Sequence, residues 1–173
     1  VGSNVLTARQ GLNIPVMRSI AGQISRLMEA GREVILVSSG AMASGLKKIG
    51  LERRPDGLPQ RQAVAAVGQA GLIMEYEKAF ERHRLKAAQI LLTSEDLSSR
   101  KRYLNARNTL NTLLDWKIVP IINENDTVSV EEIKLGDNDN LAAMITLLMD
   151  ADLLVILSDI DGLFTRDPRT EPD

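Results

Sequence analysis

The stretch "EVILVSSG", Glu33–Gly40, decides the fold class. Val34, Ile35, Leu36 and Val37 form a continuous apolar run that reads as a strand buried on both faces, the signature of a parallel sheet. It stops abruptly at Ser38, Ser39 and Gly40, small residues suited to a turn. Before it, Val16, Met17, Ile20, Ile24, Leu27 and Met28 recur at helical spacing between Asn13 and Gly31. Asn13 suits the N-cap, Pro15 the first turn and Gly31 the stop.

Helices and apolar runs then alternate. A helix is expected from Pro59 to about Arg82, a strand at "AAQILLT" (87–93), and a helix around Tyr103, Leu110, Leu113 and Leu114. "KIVPIIN" (117–123) is a further apolar run, weakened as a strand by Pro120, which cannot donate to a ladder. "TVSVEEIKL" (127–135) alternates like a short strand or hairpin. Leu141–Met149 reads as a helix with Asn138 or Asn140 as its cap, and "DLLVILSD" (152–159) as a buried strand. "KKIGLERRPDGLPQR" (47–61) is the most loop-like segment. The pattern predicts an α/β fold: a three-layer α/β/α sandwich around a mostly parallel sheet.

With 173 residues and a 44% hydrophobic fraction, the chain can build one sizeable core. Lys plus Arg number 21 against 23 Asp plus Glu, so the net charge of −2 leaves no footprint for nucleic acid or an anionic membrane. No apolar run approaches the ~20 residues of a spanning helix, and no signal-peptide pattern opens the sequence. The absence of cysteine excludes disulfides and thiolate chemistry. His83, the one histidine, sits in "ERHRLK", a solvated helix end. A cytoplasmic protein is expected. Asn125-Asp126-Thr127 matches a glycosylation sequon by chance. "VGSNVLT" at the start resembles the tail of a strand, and "TRDPRTEPD" at the end is polar loop, so the fold is expected to be truncated at both ends.

Ligands in open α/β sheets gather beyond the carboxyl ends of the strands. There the sequence places Ser38, Ser39, Gly40 and Ala41; then Asn123, Glu124, Asn125 and Asp126; then Ser158, Asp159, Ile160, Asp161 and Gly162. Each cluster alone is ordinary turn chemistry. Together with "GDNDN" (136–140) they point to a polar ligand site. Carboxamides can grip an amino acid, while carboxylates bind ammonium, orient lysine or hold magnesium. The trailing glutamate of an EF-hand is missing, and no dedicated protein metal site is expected. Neither a P-loop nor a dinucleotide fingerprint occurs. The remaining phosphate-binding devices are the Gly-rich turns "VSSGAMASG" and "VGSN".

"INENDTV" (122–128), "IKLGDNDNLAA" (133–143) and "LLVILSDIDGLFTRDP" (153–168), in this order and spacing, resemble the bacterial glutamate 5-kinases of the amino acid kinase superfamily. "VGSNVLT", "VILVSSGAMASG", "AVAAVGQAGLI" and "QILLTSEDL…RKRYLNARNTLNTLL" fit the same family, so the resemblance spans essentially the whole chain. It implies phosphorylation of the L-glutamate side-chain carboxylate with ATP and Mg2+, the first step of proline synthesis, and feedback inhibition by proline. Carried over by position, it implies glutamate contacts at Ser39, Asp126 and Asn138, with Asn123 and Asp137 lining the same pocket. Gly2 and Ser3 would form the phosphate-facing turn, with Gly2 also at the catalytic centre. Ser158 and Asp159 would contact the nucleotide, with "DGLFTRDP" bordering it. Asp139 would orient catalytic lysines.

The family's first lysine, before the Val-Gly pair, and its second, in the nucleotide half, have no counterpart in residues 1–173, nor does its C-terminal RNA-binding-type domain. The chain thus corresponds to the glutamate-binding half plus the edge of the ATP-binding half, expected to bind glutamate while turning over poorly. A homo-oligomer is also expected, for which the helix faces around "RKRYLNARNTLNTLL" (100–114) offer a dimer contact, the basic run Arg100–Lys101–Arg102 by itself reading as a solvated face. The resemblance also implies hand-over of the acyl phosphate to a reductase. Two other readings remain open: a kinase of the same fold for another acidic amino acid or a nucleotide monophosphate, and a non-catalytic module sensing glutamate or proline.

Overall fold

The computed structural model describes residues 1–8, 11–129, 137–159 and 162, with Asp137 described in its backbone alone. A short helix α1 (Ser3–Leu6) leads into a two-stranded antiparallel hairpin, β1 (Thr7–Ala8) and β2 (Gly11–Leu12). Helix α2 (Ile14–Glu29) starts where expected, with Asn13 Oδ1 accepting from Val16 N–H at 3.4 Å and Pro15 in the first turn. Strand β3 is shorter than its apolar run, covering Leu36–Val37. It is followed by α3 (Ala41–Ile49), α4 (Leu58–Glu81), β4 (Lys86–Leu92), α5 (Ser94–Ser98), α6 (Arg100–Asp115), β5 (Ile118–Glu124) and α7 (Asp137–Met149).

The central sheet has the order β3-β5-β4, all parallel. Val1 extends it beyond β3 in the same sense, donating to Val37 O at 2.7 Å and accepting from Ser39 N–H at 3.2 Å. Alternation along the strands loads both faces. Leu36, Val119 and Ile121 join Met17, Ile20, Ile24, Leu72, Tyr76 and Phe80 in one core beneath α2 and α4. Ile122 and Leu92 join Leu110, Leu141, Ile145 and Leu148 in another beneath α6 and α7. The three-layer arrangement is the one expected.

Four expectations need correction. Pro120 sits within β5, the central strand of that sheet. Successive residues of a parallel strand point their backbone polar groups to opposite neighbours, so residues two apart share a neighbour. Ile122 O accepts from Ser38 N–H at 2.8 Å, so Pro120 faces the β3 side as well, just before the two-residue ladder begins, and its missing N–H costs no pairing. The loop-like segment is narrower than expected: α3 runs through Lys47 and Lys48 to Ile49, and α4 begins at Leu58. Helix α7 begins at Asp137, so Asn138 and Asn140 lie inside its first turn and neither is the cap. Lastly, 152–159 forms no strand, and its side chains are open to solvent, Leu153 at 77% and Val155 at 63%. Gly2 N–H donates to Leu157 O at 3.0 Å, and no strand ladder among the described residues includes the segment. Of the expected hairpin, Thr127 and Val128 lie in a turn, and 130–136 fall outside the described residues.

Helices α3 and α4 cross at backbone contact. A Cβ on Gly68 would collide with the Ala41 carbonyl and press on Gly45 N at 2.6 Å, and one on Gly45 would collide with the Val64 carbonyl. Gly68→Ala is therefore expected to lower the urea midpoint by the equivalent of about 2–3 kcal/mol, despite the ~1 kcal/mol helix-propensity gain of alanine. An unchanged midpoint would mean that the crossing can relax. Helix α5 opens with a reciprocal capping box between Thr93 and Asp96. Burial alone would raise the Asp96 carboxyl pKa, but hydrogen bonds from Thr93 N–H and Oγ1, together with Arg102, hold it below the ordinary value. Because the folded value is the lower one, this carboxylate stabilises the fold fully above the ordinary aspartate range of ~3.9. Its contribution disappears as pH falls through the folded value. The Thr93 amide resonance should accordingly titrate with a midpoint below that of an unfolded aspartate, and lose that titration in Asp96→Asn.

Candidate functional site

Ser39, Asn123 and Asp126 lie at or just beyond the carboxyl ends of β3 and β5, which share one rim of the sheet because parallel strands end on the same side. Between β3 and α3 the chain turns through Gly40, whose φ of 112° is open to glycine and strained for other residues. A Cβ there would also press on Leu12 Cδ2 at 2.9 Å. That turn leaves Ser39 buried, at 7% exposure, beside the end of β3. Ser38 next to it is fully buried, its Oγ donating to Ser39 O at 3.0 Å and hydrogen bonded to Tyr76 Oη at 2.8 Å. Burial pushes the Tyr76 phenol up to about 12, the Ser38 hydrogen bond opposing it, so this support stays neutral across the biological range.

Asn138, in the first turn of α7, donates from Nδ2 to Ser39 Oγ at 2.8 Å. Residues 99 apart in sequence thereby meet. The other end of that carboxamide, Oδ1, is buried and accepts no hydrogen bond among the described residues. Ser39 keeps its hydroxyl proton to give, and Asn138 keeps an acceptor. Such a pair suits a ligand that carries both a carboxylate and an ammonium group.

One strand over, Asn123 is 4% exposed at the carboxyl end of β5. Its Oδ1 accepts from Glu124 N–H at 2.9 Å, and its Nδ2 donates to Gln69 Oε1 at 3.3 Å. Asp126 lies in the following turn, with Oδ2 3.5 Å from Gln69 Nε2. Gln69 of α4 thus joins two of the expected site residues. Its only sequence signal is a polar side chain on the helix face otherwise formed by Val64, Ala65, Gly68, Leu72 and Tyr76.

Of the residues expected on the nucleotide side, Gly2 and Asp159 meet other segments of the chain. The Gly2 N–H is committed to Leu157 O, and its carbonyl accepts from Val5 and Leu6 N–H at 3.2 and 3.3 Å. Asn4, which sequence reasoning passed over, donates from Nδ2 to Asp159 Oδ2 at 3.0 Å. Ser3, Ser158 and Asp159 are exposed. Asp139 lies in the first turn of α7. Burial pulls the pKa of the Val1 ammonium below its ordinary value, and the charge of Asp139 acts on it in the opposite direction. Among the described residues no group of three or more His, Cys, Asp or Glu side chains could cage a metal. The Asp137 side chain and most of "DGLFTRDP" fall outside the described residues. None of the described helices is long and apolar enough to cross a membrane.

The profile of the amino acid kinase family matches residues 1–173. The glutamate 5-kinase of Geobacter sulfurreducens is 57% identical over 174 residues, covering 100% of this chain and 47% of its own length. That of Meiothermus ruber is 58% identical over 173 residues, covering 100% of this chain and 45% of its own. The chain thus spans under half the length of these relatives. Among solved structures, the product complex of Thermoplasma acidophilum isopentenyl phosphate kinase (T. acidophilum) superposes with a TM-score of 0.62 at 20% identity, over 99% of this chain and 74% of that one, a likeness of fold alone. A profile match over every residue, a three-layer sandwich with a parallel sheet and polar groups gathered on one rim agree: the chain belongs to the amino acid kinase family.

Proposed function

We propose that this chain carries the amino-acid-binding half, and the edge of the nucleotide-binding half, of an enzyme that phosphorylates the side-chain carboxylate of L-glutamate with ATP. The observation that carries the reading is the Ser39–Asn138 pair, with a buried, unfilled acceptor on Asn138. The identity of 57–58% to glutamate 5-kinases supports the choice of glutamate.

In this reading Ser39 donates to a substrate carboxylate, Asn138 Oδ1 accepts from the substrate ammonium, and Asp126 supplies countercharge to that ammonium. Asn123 and Asp137 complete the pocket wall. A terminal oxygen of the glutamate side chain attacks the γ-phosphorus. The bond from that phosphorus to the β,γ-bridging oxygen breaks, and ADP leaves with its electron pair. The attacking carboxylate is already ionised, its reference pKa being about 4.3, so the step needs no general base. Catalysis of this kind comes from alignment and from neutralising charge at the transferred group. Gly2, Ser3, Ser158 and Asp159 would face the nucleotide, and Asp139 would orient cationic side chains toward the phosphates. Mg2+, held by the nucleotide's own phosphates, would supply charge neutralisation.

Proline synthesis as the pathway, proline as feedback inhibitor, a homo-oligomer, hand-over of the acyl phosphate to a reductase and a cytoplasmic location belong to the same proposal. They rest on the likeness to glutamate 5-kinases.

Calorimetric titration of L-glutamate tests the reading. Asn138→Ala should weaken binding by about 10- to 100-fold, the range for losing a hydrogen bond to a charged group. L-aspartate should bind more weakly than L-glutamate. Equal binding of L-glutamate by the variant would remove Asn138 from the site. Tighter binding of aspartate or uridine monophosphate would reassign the substrate.

A further inference from the structure

Gln69 lies in the middle of α4 at 8% exposure, among apolar neighbours. A carboxamide there is costly unless its donors and acceptors are used. All are used. Oε1 accepts from Asn123 Nδ2 at 3.3 Å and from Gln89 Nε2 at 3.2 Å. Nε2 donates to Glu124 O at 3.3 Å and reaches Asp126 Oδ2 at 3.5 Å. Two turns earlier on the same helix, Gln62 Nε2 donates to Ser129 O at 3.0 Å. Helix α4 therefore holds the segment 123–129 at both ends.

We propose that Gln69 is a positioning residue for the amino-acid pocket: its carboxamide sets the orientation of Asn123 and the placement of the Asp126 carboxylate, with no hydrogen-bonding position left over for substrate. The proposal rests on the reading above, that Asn123 and Asp126 face the amino acid. The arrangement requires glutamine in particular. Its oxygen faces two amide donors, and its nitrogen faces a carbonyl and a carboxylate. A glutamate at this position would set a second negative charge against Asp126 and withdraw the hydrogen bond that Gln69 Nε2 gives to Glu124 O. A leucine would fill the volume and hold neither group.

The test compares Gln69→Glu, Gln69→Leu and the double variant Gln69→Glu/Asp126→Asn with the parent chain. Two readouts are followed: L-glutamate affinity by calorimetry, and amide hydrogen exchange at 125–129. In Gln69→Glu, affinity near pH 7.5 should fall at least tenfold. It should recover as pH is lowered and the introduced carboxyl takes a proton, a reversal that a general packing defect would not produce. Exchange at 125–129 should rise at least tenfold in Gln69→Leu, with α2 and α6 keeping their protection. In the double variant, which removes the charge repulsion, exchange should return toward that of the parent. Parent-like exchange and affinity in both single variants would overturn the proposal, as would a pH-independent loss in Gln69→Glu with protection lost uniformly along the chain. Should the parent chain bind no glutamate, the functional reading fails alone, and the local change in exchange still decides the role of Gln69.

Discussion

The close approach of α3 and α4 is the constraint on which the rest depends. With hydrogen in place of side chain at Gly45 and Gly68, backbone meets backbone, and the two helices lock at a fixed separation. Helix α3 is the direct continuation of the Ser38–Gly40 turn, and α4 carries Gln69 one residue after Gly68. The crossing therefore fixes the height of the turn that presents Ser39 relative to the side chain that steadies Asn123 and Asp126. Widening it by one methyl group would displace Ser39 and Gln69 relative to each other. Tyr76, lower on α4, ties the same helix to Ser38 from below the sheet's edge.

Electrostatically the rim is economical. The rim groups Ser39, Gln69, Asn123 and Asn138 are neutral hydroxyls and amides held by hydrogen bonds, with the Asp126 carboxylate beside Gln69. Neutral dipoles already fixed in place need little rearrangement when a charged ligand arrives, which is how a preorganised site stabilises charge. The buried partners, Ser38, Asn123 and Gln69, keep the exposed ones from drifting.

Much of this fold is legible in the sequence where burial is periodic. Helices α2, α4 and α6 and strand β4 follow from apolar spacing, because each presents one face to a core. Pro120 misleads, since the cost of proline depends on which neighbour its nitrogen faces, and that is a property of pairing. The capping expectation at Asn138 fails for a related reason: the side chain that local rules assign to its own helix is drawn to Ser39 across the sheet. Local pattern likewise reads 152–159 as buried, because composition reports what a segment prefers and not whether partners surround it. The rim itself could be anticipated, since parallel strands must end together. Gln69 could not, because its importance lies in four hydrogen bonds to three other elements of the chain and none to its own helix.

The run Leu153–Leu157 has a consequence for how the chain behaves in bulk. Five apolar residues, one of them attached through its carbonyl to Gly2, lie open to water. Short segments of this composition, without proline or charge, are the ones that recruit identical segments through their unpaired backbone. For these 173 residues such a run favours association, and the net charge of −2 supplies little long-range repulsion to oppose it.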